Sequence, residues 1–215
     1  MGSVCLCLSS LTFLFYFYRQ KQINDQITLL NSRFTATGTR IRFHLLNVTR
    51  IINRDWHENA DLLPDNTEKC VGYFFLFRTR NYLWSSSLAV AMKTSLHKGR
   101  SIHLNIYTVS LSTNNGYSTF PVSYANEPKL DGIVIKFTTL PGGSSTERQG
   151  GTLVHECGHW LGLLHTFEGG CIGPGDGVDD TPPEATEGRG CPIGRKSCPN
   201  SNLPDPIRKY LAFIS

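Results

Sequence analysis

The order of apolar patterns along the sequence predicts an α/β sandwich, in which helices pack against a small sheet. Helical spacing of apolar residues occurs at residues 23–34 and again at 151–164, and alternating patterns typical of strands lie between them. The chain has 215 residues, of which 40% are hydrophobic, so it can form one domain with a sizeable core. This composition excludes a disordered chain, and no internal repeat indicates a solenoid.

The first half of the chain contains one predicted helix and one predicted strand. The helix at residues 23–34 has four apolar residues on one face: Ile23, Ile27, Leu30 and Phe34. The strand at residues 40–52 alternates apolar with polar residues: Ile41, Phe43 and Leu45 against Arg42 and His44. Polar residues 55–68 are expected to form a loop, whereas the aromatic-rich residues 70–90 match neither period.

The second half contains the remaining elements. In chain order, the patterns predict a helix at 89–97, a strand at 101–111, a turn at 114–116, a strand at 131–137 and a loop at 140–151. The helix at 151–164 follows, and everything after Thr166 is rich in Gly and Pro and is expected to be irregular. The alternation of helices with strands therefore favours an α/β architecture over an all-α or all-β one.

The N-terminus carries a nearly continuous apolar run at residues 4–18, VCLCLSSLTFLFYFY. Its length is short for a membrane span and suits the core of a signal peptide. However, no Lys or Arg precedes the run, and no pair of small residues marks a cleavage site after it. We therefore expect residues 1–22 to be either a signal segment or an aberrant N-terminus, and we expect no stable membrane association.

Charge and cysteine content narrow the function classes further. The 21 Lys and Arg residues exceed the 17 Asp and Glu residues by only four, and no basic block stands out, so nucleic acid is not an expected partner. Three of the seven cysteines, Cys171, Cys191 and Cys198, lie in the Gly/Pro-rich tail, where disulfides would indicate an oxidising compartment. A reduced loop with incidental thiols is the alternative. The glycosylation sequon at Asn47 is compatible with secretion.

Residues 155–165, HECGHWLGLLH, carry the strongest functional signal. His155 and His159 are four residues apart, so on a helix both imidazoles lie on one face and can bind one Zn²⁺. Gly162 can adopt a positive φ that ends the helix, which would bring His165 round as a third ligand. Two surface histidines on a helix can occur by accident, but this full pattern is expected by chance only about 10⁻⁵ to 10⁻⁴ times per chain.

Three histidine ligands leave a fourth position open, which is typical of a catalytic zinc and not of a structural one. Glu156 lies beside the ligands and can take a proton from a water held at the metal, then pass it to a leaving amine. The motif therefore predicts one zinc per chain and hydrolysis of peptide bonds in peptides or proteins. Asp176, Asp179 and Asp180 could hold Ca²⁺, but surface acids in a turn are the commoner arrangement.

Several segments together resemble the metzincin metallopeptidases, and within them the pappalysin (cytophagalysin) family, especially its secreted fungal members. The matching segments are GYSTFP at 116–121, DGIVI at 131–135, LPGG at 140–143, HECGHWLGLLHTFEGGC at 155–171 and GDGVDDTP at 175–182. The resemblance implies a metzincin-like catalytic domain: a twisted mixed sheet with backing helices, a zinc helix and an irregular tail containing a disulfide. It also implies a secreted, extracellular zinc endopeptidase and a disulfide between Cys171 and Cys198, with Cys191 left without its usual partner.

The sequence departs from the family pattern near its end. Family members have a Met-turn after the zinc helix, where this chain has Leu211, and a Tyr where it has Phe213. We therefore expect residues 23–215 to be an incomplete metzincin-like metalloprotease domain, with residues 70–90 as an insertion. Two other functions stay open: a catalytically impaired zinc-binding fragment or pseudo-protease that lacks the Met-turn, and a non-proteolytic binding module that keeps the fold.

Overall fold

A computed structural model describes residues 2–9, 20–61, 86–146, 148–188, 190 and 192–207. Within them a sheet of five strands has the order β2-β1-β3-β5-β4. The strands are β1 (Gly2–Ser9), β2 (Phe43–Ile51), β3 (His103–Val109), β4 (Gly116–Ser118) and β5 (Ile133–Lys136). Strand β1 is parallel to both β2 and β3, and β3 is parallel to β5, whereas the edge strand β4 is antiparallel to β5.

Helices cover both faces of the sheet. They are α1 (Gln20–Ala36), α2 (Arg54–Asn59), α3 (Ser87–Leu96) and α4 (Gly151–Trp160). Helices α1 and α4 contribute to one buried cluster, and α3 and the segment after α2 contribute to a second. Alternate residues of β3 and β5 enter the two clusters, so this part of the sheet has no solvent face. The result is a three-layer α/β arrangement, which confirms the predicted fold class.

The predicted elements agree with the structure except where tertiary contacts override local pattern. The helix predicted at 23–34 lies inside α1, and those at 89–97 and 151–164 correspond to α3 and to α4, which ends earlier, at Trp160. The loop predicted at 55–68 is wrong at its start, because α2 forms there. The Asn53 side chain caps that helix by accepting from the Trp56 amide at 3.0 Å, and Trp56 packs against the second cluster.

Two strands differ from expectation. The structure places Gly2–Ser9, part of the segment expected to be a signal or an aberrant start, between β2 and β3 as a strand of the sheet. Strand β4 was not predicted, because three residues are too few to show a period of two. The domain boundary at residue 22 stays a prediction. Residues 70–85 of the expected insertion lie outside the described residues, and its last residues belong to α3.

No helix in the described part of the chain is both long enough and apolar enough to cross a membrane.

Lys93, on α3, is an unusual core residue because its side chain, which ends in an amine, is almost completely buried. Its Nζ donates to the carbonyl oxygens of Leu130 and Gly132 at 3.0 and 3.2 Å and lies 5.4 Å from the centre of the Tyr117 ring. Burial lowers the Lys93 pKa to about 8, and the nearby Asp131 carboxylate offsets part of that shift. The amine therefore ties the segment before β5 to α3.

This burial predicts a pH-dependent stability. Because the Lys93 pKa is about 8 in the folded chain and ordinarily 10.5, the unfolded chain binds more protons between those values. The free energy of unfolding should therefore rise from pH 8 to pH 10.5, by up to about 3 kcal/mol for a shift of this size. Denaturant titrations of the wild type and of Lys93→Met should show this rise only in the wild type. Parallel pH profiles for the two proteins would contradict the prediction.

Candidate metal centre

Helix α4 begins at a junction with α1. Gly150 precedes the helix with φ of 86°, and its carbonyl accepts from the buried Gln26 side chain at 3.1 Å. A Cβ at Gly150 would lie 2.6 Å from Leu29 Cδ2, so the approach of α1 requires glycine as well as the positive φ. The start of α4 is therefore positioned by the helix that packs beside it on the same face of the sheet.

The end of α4 is fixed from the sheet. Trp160 Nε1 donates to both carboxylate oxygens of the buried Asp131 at 3.1 Å, and the Thr119 hydroxyl donates to the same carboxylate at 2.8 Å. Thr119 follows β4 and Asp131 precedes β5, so one carboxylate joins the helix to both strands. These contacts hold α4 against the sheet along the cluster that buries Leu153, Val154 and Cys157.

The structure brings the three predicted histidine ligands together. His155 and His159 lie one turn apart on α4, both buried, with their Nε2 atoms 3.0 Å apart. The helix then ends in a Schellman motif: the Leu163 amide donates to the Gly158 carbonyl and the Gly162 amide to the His159 carbonyl. Gly162, at φ of 100°, reverses the chain, and His165 Nε2 lies 3.2 Å from that of His159 and 3.3 Å from that of His155.

Hydrogen bonding sets the tautomer of the central histidine. His159 Nδ1 lies 2.8 Å from the Leu163 carbonyl oxygen, which can only accept, so Nδ1 carries the proton. Burial lowers the His159 pKa to about 4, and burial also lowers the His165 pKa. Neutral His159 therefore directs the lone pair of Nε2 at the other two imidazoles. A backbone carbonyl that orients a ligating histidine in this way is a common support for a metal site.

The three nitrogens match the donor set of a tetrahedral metal. Bonds of about 2.0–2.1 Å to one Zn²⁺ would place pairs of ligand nitrogens about 3.3 Å apart. The measured separations are 3.0 to 3.3 Å, a range in which facing lone pairs repel unless a cation lies between them. Within the described ranges this trio is the one group of His, Cys, Asp or Glu residues found close enough together to hold a metal. Asp176, Asp179 and Asp180 do not form such a group.

Glu156, the predicted general base, lies on α4 beside these histidines and is buried. A Cβ placed on Gly116, the first residue of β4, would lie 3.0 Å from Glu156 Cγ and 2.9 Å from Thr152 Cγ2. The absence of a side chain at Gly116 is therefore what allows the edge strand to approach the helix at the level of the carboxylate.

Two aromatic rings that the sequence analysis did not single out enclose the histidines. Phe120 lies 5.3 Å from the His159 ring, and Phe167 stacks on His165 with ring centres 4.7 Å apart. Both belong to segments quoted for the family resemblance, which is the signal that could have identified them. Their contacts contribute to the burial that keeps the imidazoles neutral. Phe167 also lines a cavity of about 690 Å³ together with Glu187 and Arg195.

The tail after the histidines is closed by a disulfide. Cys171 and Cys198, the pair implied by the resemblance, are joined in the structure, whereas Cys157 is a buried free thiol within α4. Burial raises the pKa of Cys157 well above its ordinary range, so this thiol stays protonated and packs as a small apolar residue. Cys191, Leu211 and Phe213, on which other expectations depend, lie outside the described residues.

Comparison with known proteins identifies the family. Residues 98–204 match the model of the Peptidase_M43 family, described as Pregnancy-associated plasma protein-A. This span includes the three histidines, Glu156 and the disulfide. The chain contains a pappalysin domain. The family resemblance stated from the sequence is thereby confirmed.

Relatives and solved structures agree with this assignment. An extracellular metalloprotease of Pyricularia oryzae is 50% identical over 195 residues, which cover 89% of this chain and 59% of that protein. One from Verticillium alfalfae is 39% identical over 200 residues, covering 90% of this chain and 60% of the relative. The chain thus spans about 60% of the length of these curated relatives. Tannerella forsythia mature mirolysin in complex with a cleaved peptide superposes with a TM-score of 0.68 at 21% identity, covering 99% of this chain and 83% of mirolysin.

The geometry predicts that metal binding depends on the helix histidines. His155→Ala or His159→Ala should reduce the zinc content of purified protein from about one ion per chain to near zero, because two neutral nitrogens hold Zn²⁺ poorly. The matched control is His44→Ala, since His44 is exposed on β2. Elemental analysis after dialysis measures the ratio. A variant that keeps one tightly held zinc would show that the altered histidine is not a ligand.

Proposed function

We propose that this chain is a secreted, zinc-dependent endopeptidase that hydrolyses peptide bonds in peptides or proteins. The observation that carries the proposal is the convergence of three histidine Nε2 atoms within 3.3 Å, two of them on the helix that also carries Glu156 and the third just beyond its end. The pappalysin domain and the relatives named extracellular metalloproteases support the same function. The fourth metal position, which no histidine takes, leaves room for a substrate carbonyl or water.

The protein residues have separate tasks in this reaction. Zinc, when bound, supplies a Lewis acid that polarises the scissile carbonyl and makes a water more acidic. His155, His159 and His165 hold the ion, and the bond from His159 to the Leu163 carbonyl keeps one imidazole in the ligating tautomer. Glu156 accepts the proton of the attacking water and delivers it to the leaving amine, so no covalent intermediate with the protein is needed.

The edge of the sheet offers a place for an extended peptide. Strand β4 is the outer strand, pairs with β5 on one side and lies against α4 near Glu156. An edge strand can bind an extended chain by main-chain hydrogen bonds, which suits a peptidase acting on extended segments. The cavity lined by Phe167 and Glu187 could accept a substrate side chain on the other side of the histidines.

Secretion is proposed from three features. The Cys171–Cys198 disulfide is stable only where thiols are not kept reduced, and the relatives are named extracellular. The exposed Asn47 side chain lies on β2, where it could accept a glycan.

Replacing the base tests the mechanism. Glu156→Gln should keep one zinc per chain but lower kcat/KM by a factor of at least about 10², because the amide has nearly the same shape and cannot take a proton. A fluorogenic peptide assay of the wild type, the variant and the chelator-treated wild type measures this. Substantial turnover by Glu156→Gln would move the base to another residue. A wild type that binds zinc and cleaves nothing would instead favour the impaired zinc-binding protein.

The close approach of β4 gives a second test. Gly116→Ala should push Glu156 away from its position, and a displacement of about 1 Å can cost about 10²-fold in rate. We expect kcat to fall while the zinc content stays unchanged, since the atoms nearest to an added Cβ belong to Thr152, Glu156 and Val134 and not to a histidine. Gly38→Ala serves as a control for strain alone, because a Cβ there meets no atom within 4 Å while the φ of 77° makes the substitution strained. Wild-type kcat in Gly116→Ala would show that β4 does not position the carboxylate.

A further inference from the structure

The three histidines are not held equally by the fold. His155 and His159 belong to α4, whose start and end are fixed by Gln26 and Asp131. His165 lies beyond the helix, in a segment with neither helix nor strand, where a turn bond from the Glu168 amide to the His165 carbonyl is its local support. The position of the third imidazole therefore depends on what the following residues contact.

The residue directly after it is anchored in the tail. The Thr166 hydroxyl donates to Glu184 Oε2 at 2.7 Å, and both residues are buried. Short bonds from a hydroxyl to a buried carboxylate are among the stronger hydrogen bonds in proteins. Because Thr166 shares a peptide bond with His165, this contact restrains the backbone from which the third imidazole extends.

Arg195 in turn fixes Glu184. Its Nη1 donates to Glu184 Oε1 and to the Glu187 carbonyl at 3.1 Å, and its Nη2 donates to the carbonyl and hydroxyl of Thr186. The remaining Nε lies 3.2 Å from the buried carboxylate of Asp205. Every nitrogen of the guanidinium is thus engaged, which leaves Glu184 little freedom to move.

The same tail is closed covalently. The disulfide joins Cys171, near the start of the tail, to Cys198. The hydroxyl of the neighbouring Ser197 accepts from the Ala185 amide at 2.8 Å. The Ser197 amide donates to Asp205 at 3.0 Å. The buried Glu184 carboxylate therefore lies in a segment that the disulfide and these hydrogen bonds hold in place.

We propose that Glu184 is a positioning residue for the metal site, acting through the Thr166 hydroxyl to hold His165 where its Nε2 meets those of His155 and His159. This proposal rests on the proposed function only in taking the three histidines as metal ligands. Glu184 itself does not touch the metal or the substrate. Glu184 orders His165 before the ion binds, and this lowers the conformational entropy lost on metal binding.

Substitutions at Thr166 isolate the contact. Thr166→Val keeps the shape and removes the hydroxyl, whereas Thr166→Ser keeps the hydroxyl. The comparison variant is Thr186→Val, which makes the same chemical change in the same network, removes one of the bonds to Arg195 and leaves the bond from Thr166 to Glu184 in place. Glu184→Gln is a second variant, which keeps the side-chain shape and one oxygen and loses the charge.

The measurement is metal affinity of the full chain, from competition with a chromophoric chelator, with the visible spectrum of the Co²⁺-loaded protein as a report on ligand geometry. Thr166→Val should bind Zn²⁺ about ten-fold more weakly and shift the Co²⁺ spectrum, with a smaller loss of affinity in Glu184→Gln. Thr166→Ser should match the wild type in both readouts, and Thr186→Val should lose much less affinity than Thr166→Val, because Arg195 keeps its bonds to Glu184 and to the Thr186 carbonyl. Circular dichroism confirms that each variant compared is folded.

Two outcomes would overturn the proposal. Wild-type affinity and spectrum in folded Thr166→Val would show that the hydroxyl does not position His165, and an equal loss in Thr186→Val would show a general loosening of the tail. Failure of the proposed function would look different. A wild type that binds metal and cleaves no peptide would reject the peptidase while leaving the affinity comparison valid.

Discussion

The mutual approach of three imidazole nitrogens, 3.0 to 3.3 Å apart, imposes the strictest requirement on the rest of the chain. When all three nitrogens present lone pairs to one point, as a shared cation requires, they repel at this distance, so the protein must supply the free energy that holds the rings there. It does so by burial, which keeps His159 neutral, and by a Schellman motif that reverses the backbone at Gly162. Leu163 contributes in both ways: its amide completes the Schellman motif, and its carbonyl accepts from His159 Nδ1 and so orients the ring.

Helix α4 can hold two of these histidines in place because contacts from α1 and from the segment before β5 fix its two ends. Gln26 of α1 bonds to Gly150 at its start, and Asp131, which precedes strand β5, bonds to Trp160 at its end. On the opposite face, Lys93 donates to the carbonyls on either side of Asp131, at residues 130 and 132. The Lys93 amine of α3 and the Trp160 indole of α4 thus both donate to the same short segment, residues 130–132. The metal-binding helix is connected through the sheet to a helix that takes no part in the chemistry.

The sequence predicts those features that depend on residues close together in the chain. The spacing of His155 and His159 follows from the helical period, and Gly162 signals the reversal, so the ligand set could be predicted without a structure. Contacts between distant segments have no such period. The link from Thr166 to Glu184 joins residues 18 positions apart in an irregular tail, and Gly116 approaches Glu156 from an edge strand of three residues. Residues 4–9 belong to the apolar run at 4–18 that suggests a signal, and only the pairing of Gly2–Ser9 with β2 and β3 identifies that segment as a strand.

The division of the site into a helix part and a tail part has a thermodynamic consequence. If the ordered tail increases metal affinity through His165, the bound metal must increase the free energy of unfolding of the tail by the same amount. The two effects are equal because they are one coupling free energy. The described part of the tail buries few apolar side chains, so the Arg195 ion pairs and the Cys171–Cys198 disulfide are its main restraints. A disulfide restrains the unfolded segment, and the metal stabilises the folded one, so each acts on a different side of the same equilibrium. The short hydrogen bond between Thr166 and Glu184 couples the two contributions, because it connects the cross-linked tail to the residue next to His165.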